Sequence, residues 1–175
     1  MNEKILIIDF GSQYTQLIAR VIRELNVFCE IIPFNKNFEF NTQIKGVILS
    51  GSPSSVNEPN APEININHLA EHVPVLGICY GAQLTTKLLG GVVDKSNKRE
   101  YGRANLMVTT QDLFFSEIPS NSQVWMSHSD SIKQVPDHFE ILGKTESIPV
   151  AAFKSSNKNS FPIYGLQFHP EVYHS

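Results

Sequence analysis

Val75-Leu76-Gly77-Ile78-Cys79-Tyr80-Gly81-Ala82-Gln83 runs an apolar strand into G-x-C-x-G and on into a helix. This is the cysteine form of the nucleophile elbow, whose serine form is G-x-S-x-G. The turn is so tight that side chains beside the nucleophile would collide, which accounts for glycine on both flanks. The motif predicts a sulfur exposed at a strand end, with the following amides at a helix N-terminus that favours negative charge. A free cysteine is more often inert packing. That reading suits Cys29, which lies between Phe28 and Glu30 with no glycine nearby. Far along the chain, Phe168-His169-Pro170-Glu171 offers a base and a carboxylate to orient it. A residue before proline is extended, and residues two apart in extended chain point the same way. Glu171 is therefore expected to reach one imidazole nitrogen of His169 while the other faces Cys79, the arrangement of an activated nucleophile. Acyl transfer also needs donors for an oxyanion. The Tyr80 amide is one. Ser50-Gly51-Ser52-Pro53 is either the second donor loop or an ordinary strand-to-loop turn.

Other chemistries find less support. His68, His72, His138 and His174 read as helix-face or loop residues, and only His128, in Trp125-Met126-Ser127-His128-Ser129-Asp130, sits in what reads as a binding loop. Asp9-Phe10-Gly11 matches the kinase tripeptide, but no glycine-rich loop or H-R-D accompanies it, and there is no P-loop. Cys29 and Cys79 lack metal-ligand spacing and make no disulfide framework. The expectation is a domain with no cofactor or metal of its own. A net charge of −3 over 175 residues gives no nucleic-acid or membrane-surface footprint. No apolar run reaches the ~18 residues of a membrane span. Met1-Asn2-Glu3-Lys4 leads straight into a strand without signal-peptide layout. Together with the cysteine usage, this predicts a cytoplasmic protein.

The elements that must position these groups follow from periodicity. Strands are predicted over 4–9, 28–32, 46–49 and 75–78. Helices are predicted over 14–25, 63–72 and 82–89, the last stopping at Gly90-Gly91. In the first helix Leu17, Ile18, Val21, Ile22 and Leu25 form the apolar face, with Arg20, Arg23 and Glu24 outside. Residues 51–62, rich in proline and small polar side chains, form a long loop expected to be the movable element beside the oxyanion donors. Alternation of strand and helix predicts an α/β fold: a doubly wound, mostly parallel sheet with helices on both faces. Ligands bind beyond the strand C-termini of such sheets, where Asp9, Ser50, Gly51 and Cys79 converge. The second half is strand-rich, over 104–109, 124–126, 140–143, 150–153 and 163–168, and reads as mixed strands added to the same domain.

With these motifs in this order, the chain resembles the class I (triad-type) glutamine amidotransferases, whose fold is flavodoxin-like. The resemblance extends from Lys4 to the end of the chain. Four stretches carry it furthest: Asp9-Phe10-Gly11-Ser12-Gln13-Tyr14; Ser96-Asn97-Lys98-Arg99-Glu100-Tyr101-Gly102; Trp125-Met126-Ser127-His128; and Gln167-Phe168-His169-Pro170-Glu171-Val172. They are similar to the branch of the family whose ammonia serves GMP formation. The resemblance implies hydrolysis of L-glutamine, with ammonia passed to an ATP-pyrophosphatase synthetase domain. That domain binds XMP and aminates it using ATP and Mg²⁺, in a homodimeric full enzyme. It implies Cys79 as nucleophile, His169 as acid and base, and Glu171 as orienting residue. It further implies Ser52 and Tyr80 at the oxyanion hole, and Gln83, Ser129, Asp130 and Gly51 in contact with glutamine. The family loop usually reads S-G-G-P; if its second glycine uses positive φ, Ser52 carries a backbone cost. The family also usually continues into a closing helix. The expectation is a single amidotransferase domain, 1–175, without that helix or the synthetase. An amidotransferase serving another acceptor, a cysteine peptidase on a similar elbow and a silent regulatory module are the alternatives. Gln83 and the His-Pro-Glu order speak against the peptidase, and the intact Cys79, His169 and Glu171 against the silent module.

Overall fold

The computed structural model describes residues 3–156 and 160–175, and at 97–100 the backbone alone. The side chains of that stretch of the Ser96–Gly102 motif therefore lie outside the described residues. The elements run β1 (Lys4–Asp9), α1 (Thr15–Glu24), β2 (Phe28–Pro33), β3 (Ile44–Leu49), α2 (Ile66–His72), β4 (Val75–Ile78) and α3 (Tyr80–Leu88). They continue with β5 (Val92–Val108), a 3-10 turn (Leu113–Phe115), β6 (Ser122–Gln134), β7 (Phe139–Lys144), β8 (Ala152–Ser155) and β9 (Ile163–Leu166). Among the described residues the strands form one nine-stranded sheet in the order β2-β1-β3-β4-β9-β8-β7-β5-β6. The first five in that order pair in parallel, and the remaining pairings are antiparallel.

The parallel half follows from residue type. β1 is an unbroken apolar run whose Leu6, Ile7 and Ile8 are buried, as expected of a strand covered on both faces. Ile18 and Ala19 of α1 pack with Ile7, Cys29 and Ile78 on one face. Ile66 and Leu69 of α2 and Ala82 and Leu84 of α3 pack with Leu6, Ile8 and Leu49 on the other. α1 is shorter than its apolar pattern. Asn26 takes a left-handed φ of 60°; its amide and that of Val27 bond back to the Arg23 and Ile22 carbonyls, which closes the helix. Leu25, expected inside, is consequently 70 % exposed. α2 starts later than expected because Asn65 caps it, its side chain accepting from the His68 amide.

The antiparallel half is where sequence and structure differ most. β5 and β6 form a hairpin far longer than 104–109 and 124–126. Burial alternates along β6, with Val124, Met126, His128 and Asp130 taking successive inward positions. The apolar pattern stops at Met126 because a histidine and an aspartate occupy the next two inward places, while the strand continues. His128, Ser129 and Asp130 therefore stand on a strand, not in a loop. β8 begins at Ala152, later than expected.

Four neighbouring parallel strands, β1, β3, β4 and β9, end at one edge. The chain order reverses there between β1 and β3, the switch point at which such sheets bind ligands. At β4 the chain passes from strand to helix at Cys79, which has φ 51° and ψ −103°. That left-handed conformation is strained for a residue bearing a Cβ. The glycines on either side are enforced by contact. A Cβ on Gly77 would lie 2.6 Å from the Ala82 nitrogen, and one on Gly81 2.5 Å from the Leu49 carbonyl oxygen. Gly81→Ala is therefore expected to destabilise the fold by about 1–3 kcal/mol, the usual scale of overpacking. Urea unfolding measures this; a variant as stable as the parent would show that the α3–β3 contact yields freely.

Candidate active site

The four strand ends surround a cleft of about 390 Å³ lined by Tyr14, Gly51, Cys79, Gln83, Ser127 and His169, among others. Cys79 is buried rather than exposed as its motif predicts, and its sulfur opens onto this cleft. The elbow is tied on both sides: the Cys79 amide donates to the Leu166 carbonyl at 2.7 Å, and the Gly81 amide to the Ser50 carbonyl at 3.1 Å. The thiol points at the Ser127 carbonyl, 3.8 Å away, in the cleft that His169 also lines.

His169 arrives from the end of β9. Its amide donates to the Trp125 carbonyl at 3.0 Å, and its own carbonyl accepts from the Ser175 hydroxyl. The Tyr14 ring meets the imidazole edge-on at 5.0 Å. Nδ1 of His169 is 2.7 Å from Oε1 of Glu171, both side chains being almost fully buried. The expected contact forms, although Pro170 and Glu171 lie in a turn instead of extended chain. Burial disfavours a charged imidazole, but the hydrogen bonds and charges of Cys79 and Glu171 outweigh it and push His169 up to about 10 from its ordinary 6.5. His128 behaves oppositely: burial, reinforced by the charge on His169, pushes it down to about 4 against the opposing pull of Asp130. At neutral pH one histidine of the cleft is thus charged and the other neutral.

Backbone donors face the same cleft. Among the described residues, the amides of Gly51, Ser52 and Tyr80 make no hydrogen bond within the protein. Ser52 is not among the residues with positive φ, so the serine carries no left-handed strain. Its hydroxyl accepts from the Ser54 amide at 3.2 Å and shapes the turn. A Cβ on Gly51 would lie 3.5 Å from Cε1 of His169, which puts this backbone beside the imidazole. Beyond Ser54 the loop 51–62 is tied down. Ser55 donates to Asp130, Asn57 to the Val93 carbonyl at 3.0 Å, Lys87 to the Val56 carbonyl and Tyr80 to the Pro62 carbonyl at 2.7 Å. Val56 is fully buried. The loop expected to be movable is thus fastened to other elements at several points beyond Ser54.

Gln83, one helical turn past Cys79, donates from Nε2 to the Asp130 carbonyl at 2.9 Å and lines the cleft. It fastens α3 to β6, which places Ser129 and Asp130 in the cleft wall. Asp9 ends β1 at this edge, as expected, and braces the turn before α1: Oδ1 accepts from the Gly11 amide at 2.9 Å and the Thr15 hydroxyl at 2.7 Å. Ser12, Tyr14 and Tyr101 line the cleft; they belong to stretches that carry the family resemblance, but no role was expected of them individually. For Ser12 and Tyr14 a further signal is their place after β1, at the switch point. Cys29 is a packing residue, its sulfur 3.5 Å from the Ala19 carbonyl oxygen.

Elbow, imidazole, carboxylate and unspent amides at one switch point form a site of the acyl-transfer type. The family model for glutamine amidotransferase class-I matches residues 6–175, and the chain belongs to that family. Among its relatives, "GMP synthase [glutamine-hydrolyzing]" of Cytophaga hutchinsonii is 58% identical over all of this chain and 34% of its own length. The protein of the same name in Brachyspira hyodysenteriae is 47% identical over 99% of this chain and again 34% of its own length. The chain thus spans about a third of the curated relatives it matches. A Thermoplasma acidophilum protein, provisionally assigned as one subunit of a GMP synthase, superposes with TM-score 0.80 at 30% identity, covering 99% of this chain and 87% of that one. A Thermotoga maritima glutamine amidotransferase shares the fold, with TM-score 0.77 at 24% identity, over 98% of this chain and 77% of that one. Among the described residues no helix is long and apolar enough to cross a membrane.

The raised His169 value has a consequence for stability. A group whose folded pKa lies above its unfolded one stabilises the fold while charged. The contribution is complete below about pH 6.5, declines as pH rises, and is gone above about pH 10. The difference in unfolding free energy between the parent and His169→Gln should therefore shrink across that window. Paired urea titrations at several pH values measure it, and a difference independent of pH would show that His169 is not held charged.

Proposed function

We propose that this chain hydrolyses L-glutamine to glutamate and ammonia through a thioester on Cys79, and that the ammonia serves a synthetase domain converting XMP to GMP with ATP and Mg²⁺. The observation that carries the reading is the buried Cys79–His169–Glu171 chain of contacts facing three unspent backbone amides. The sulfur attacks the carboxamide carbon and the carbonyl oxygen becomes an oxyanion. The Tyr80 and Ser52 amides, with Gly51 alongside, are the donors available to it. Collapse of this intermediate breaks the C–N bond, and the proton on His169 goes to the departing ammonia. Neutral imidazole then takes a proton from water, whose oxygen attacks the thioester. Glutamate leaves as the sulfur departs as thiolate beside the recharged imidazole, which restores the starting pair. Glu171 holds the ring in place and stabilises its charge throughout. Ser129, Asp130 and Gln83 form the wall suited to the amino-acid end of glutamine. The names of the relatives support the purine acceptor, and two free thiols suit the reducing cytoplasm.

Cys79→Ala is expected to abolish glutamate release, measured with a coupled dehydrogenase assay. His169→Ala should lose more activity than Glu171→Gln, because the carboxylate orients the ring while the ring moves the proton. Turnover by Cys79→Ala would overturn the mechanism. Ser52→Pro removes one candidate donor and should lower kcat by about 10²–10³. A folded Ser52→Pro chain with unchanged kcat would transfer that role to the Gly51 amide.

A further inference from the structure

α2 carries a second constellation that the glutaminase reading does not use. Its sequence is His68-Leu69-Ala70-Glu71-His72, and residues three and four apart on a helix share a face. Leu69 and Ala70 are buried in the core, which turns the other three side chains to solvent. One donor atom from each of His68, Glu71 and His72 lies within 4.8 Å of the other two. His68 Nδ1 is 3.5 Å from a Glu71 oxygen, and the two imidazole centroids are 4.7 Å apart.

Two features make this more than a solvated helix face. The first is a fixed tautomer. His72 Nδ1 lies 2.9 Å from the His68 carbonyl oxygen, an acceptor only, so the proton sits on Nδ1 and the Nε2 lone pair is left for a ligand. Backbone bonds of this kind orient metal-binding histidines. The second is support from outside the helix. Phe40, half-buried against the core, stacks on the His72 ring at 4.3 Å with an interplanar angle of 8° and meets the His68 ring edge-on at 5.7 Å. An ion pair would need one histidine and one carboxylate; the second histidine, its tautomer and its aromatic buttress are unnecessary for that.

We propose that His68, Glu71 and His72 form a peripheral site for a divalent transition metal of the Zn²⁺ class. Two imidazoles and a carboxylate suit such an ion and not Mg²⁺ or Ca²⁺, which take oxygen ligands. Tetrahedral coordination at ~2.1 Å draws the donors to roughly 3.4 Å apart. Exposed side chains reach that separation by small rotations. Three protein ligands leave a fourth position for water or for a side chain of another molecule. His72 stands just before β4 and Cys79 just after it, so the ion would sit at the opposite sheet edge from the cleft. There it would clamp α2 and lie beside the Phe40 segment.

Calorimetric titration of Zn²⁺ into the Cys79→Ala chain tests the site, since that substitution removes the competing thiol. One saturable equivalent is expected, and His68→Gln or His72→Gln should each weaken it at least about tenfold, the scale on which sites respond to disturbed ligation. The metal-free melting temperature of each variant serves as its own baseline. Zn²⁺ should raise that temperature in the Cys79→Ala chain, reversibly with chelator, and should not do so in the double His68→Gln, His72→Gln variant. Absence of saturable binding, or binding indifferent to the double substitution, would overturn the proposal.

Discussion

A strand must become a helix within one residue at Cys79, and the rest of the site is arranged around that turn. The turn places Cys79 in left-handed conformation and brings α3 so close to β3 and β4 that neither Gly77 nor Gly81 has room for a Cβ. In return, the sulfur sits at the switch point of the sheet with the Tyr80 amide beside it. Strain of ~1–3 kcal/mol at one residue is tolerable only where the surroundings over-determine it. Here the Cys79 and Gly81 amides are both bonded to neighbouring strand ends.

The electrostatics follow from the same crowding. His169 and Glu171 are buried together, and burial alone would discharge the imidazole. It stays charged because Cys79 and Glu171 lie on either side of it. At His128, in the same cleft, burial prevails over the pull of Asp130, and that ring is neutral at pH 7. The His169 backbone is held by Trp125 and Ser175, so the catalytic edge of the parallel sheet depends on a strand from the antiparallel half. Gln83 makes the reverse connection, from the elbow helix to the Asp130 carbonyl.

The loop beside the donors shows what local composition leaves out. Proline and small polar residues describe a surface loop, yet Val56 is in the core and Ser55, Asn57 and Pro62 are each tied to another element. These ties come from residues distant in sequence. The short stretch 51–54, next to His169, lacks ties of that kind, and among the described residues the amides of Gly51 and Ser52 there are unspent.

The sequence by itself determined the parallel half of the fold and singled out Cys79, His169 and Glu171 as the candidate trio that the structure brings to one cleft. The reason is that these are local signals: an unbroken apolar run for a strand covered on both faces, glycines flanking a turn, a carboxylate two residues from a histidine. It also separated Cys79 from Cys29 on neighbouring residues alone. Only the tertiary structure decided what depends on contacts between distant segments. β6 was legible as far as Met126, because His128 and Asp130 break the apolar alternation while still pointing inward. Asp9 was legible as the end of β1, but not the use of its carboxylate, which satisfies the turn at Gly11 and Thr15. The burial of the Cys79 sulfur, the negative φ of Ser52, the edge of Tyr14 on His169 and the grouping of His68 and His72 under Phe40 each require two segments to meet. No pattern within either segment encodes such a meeting.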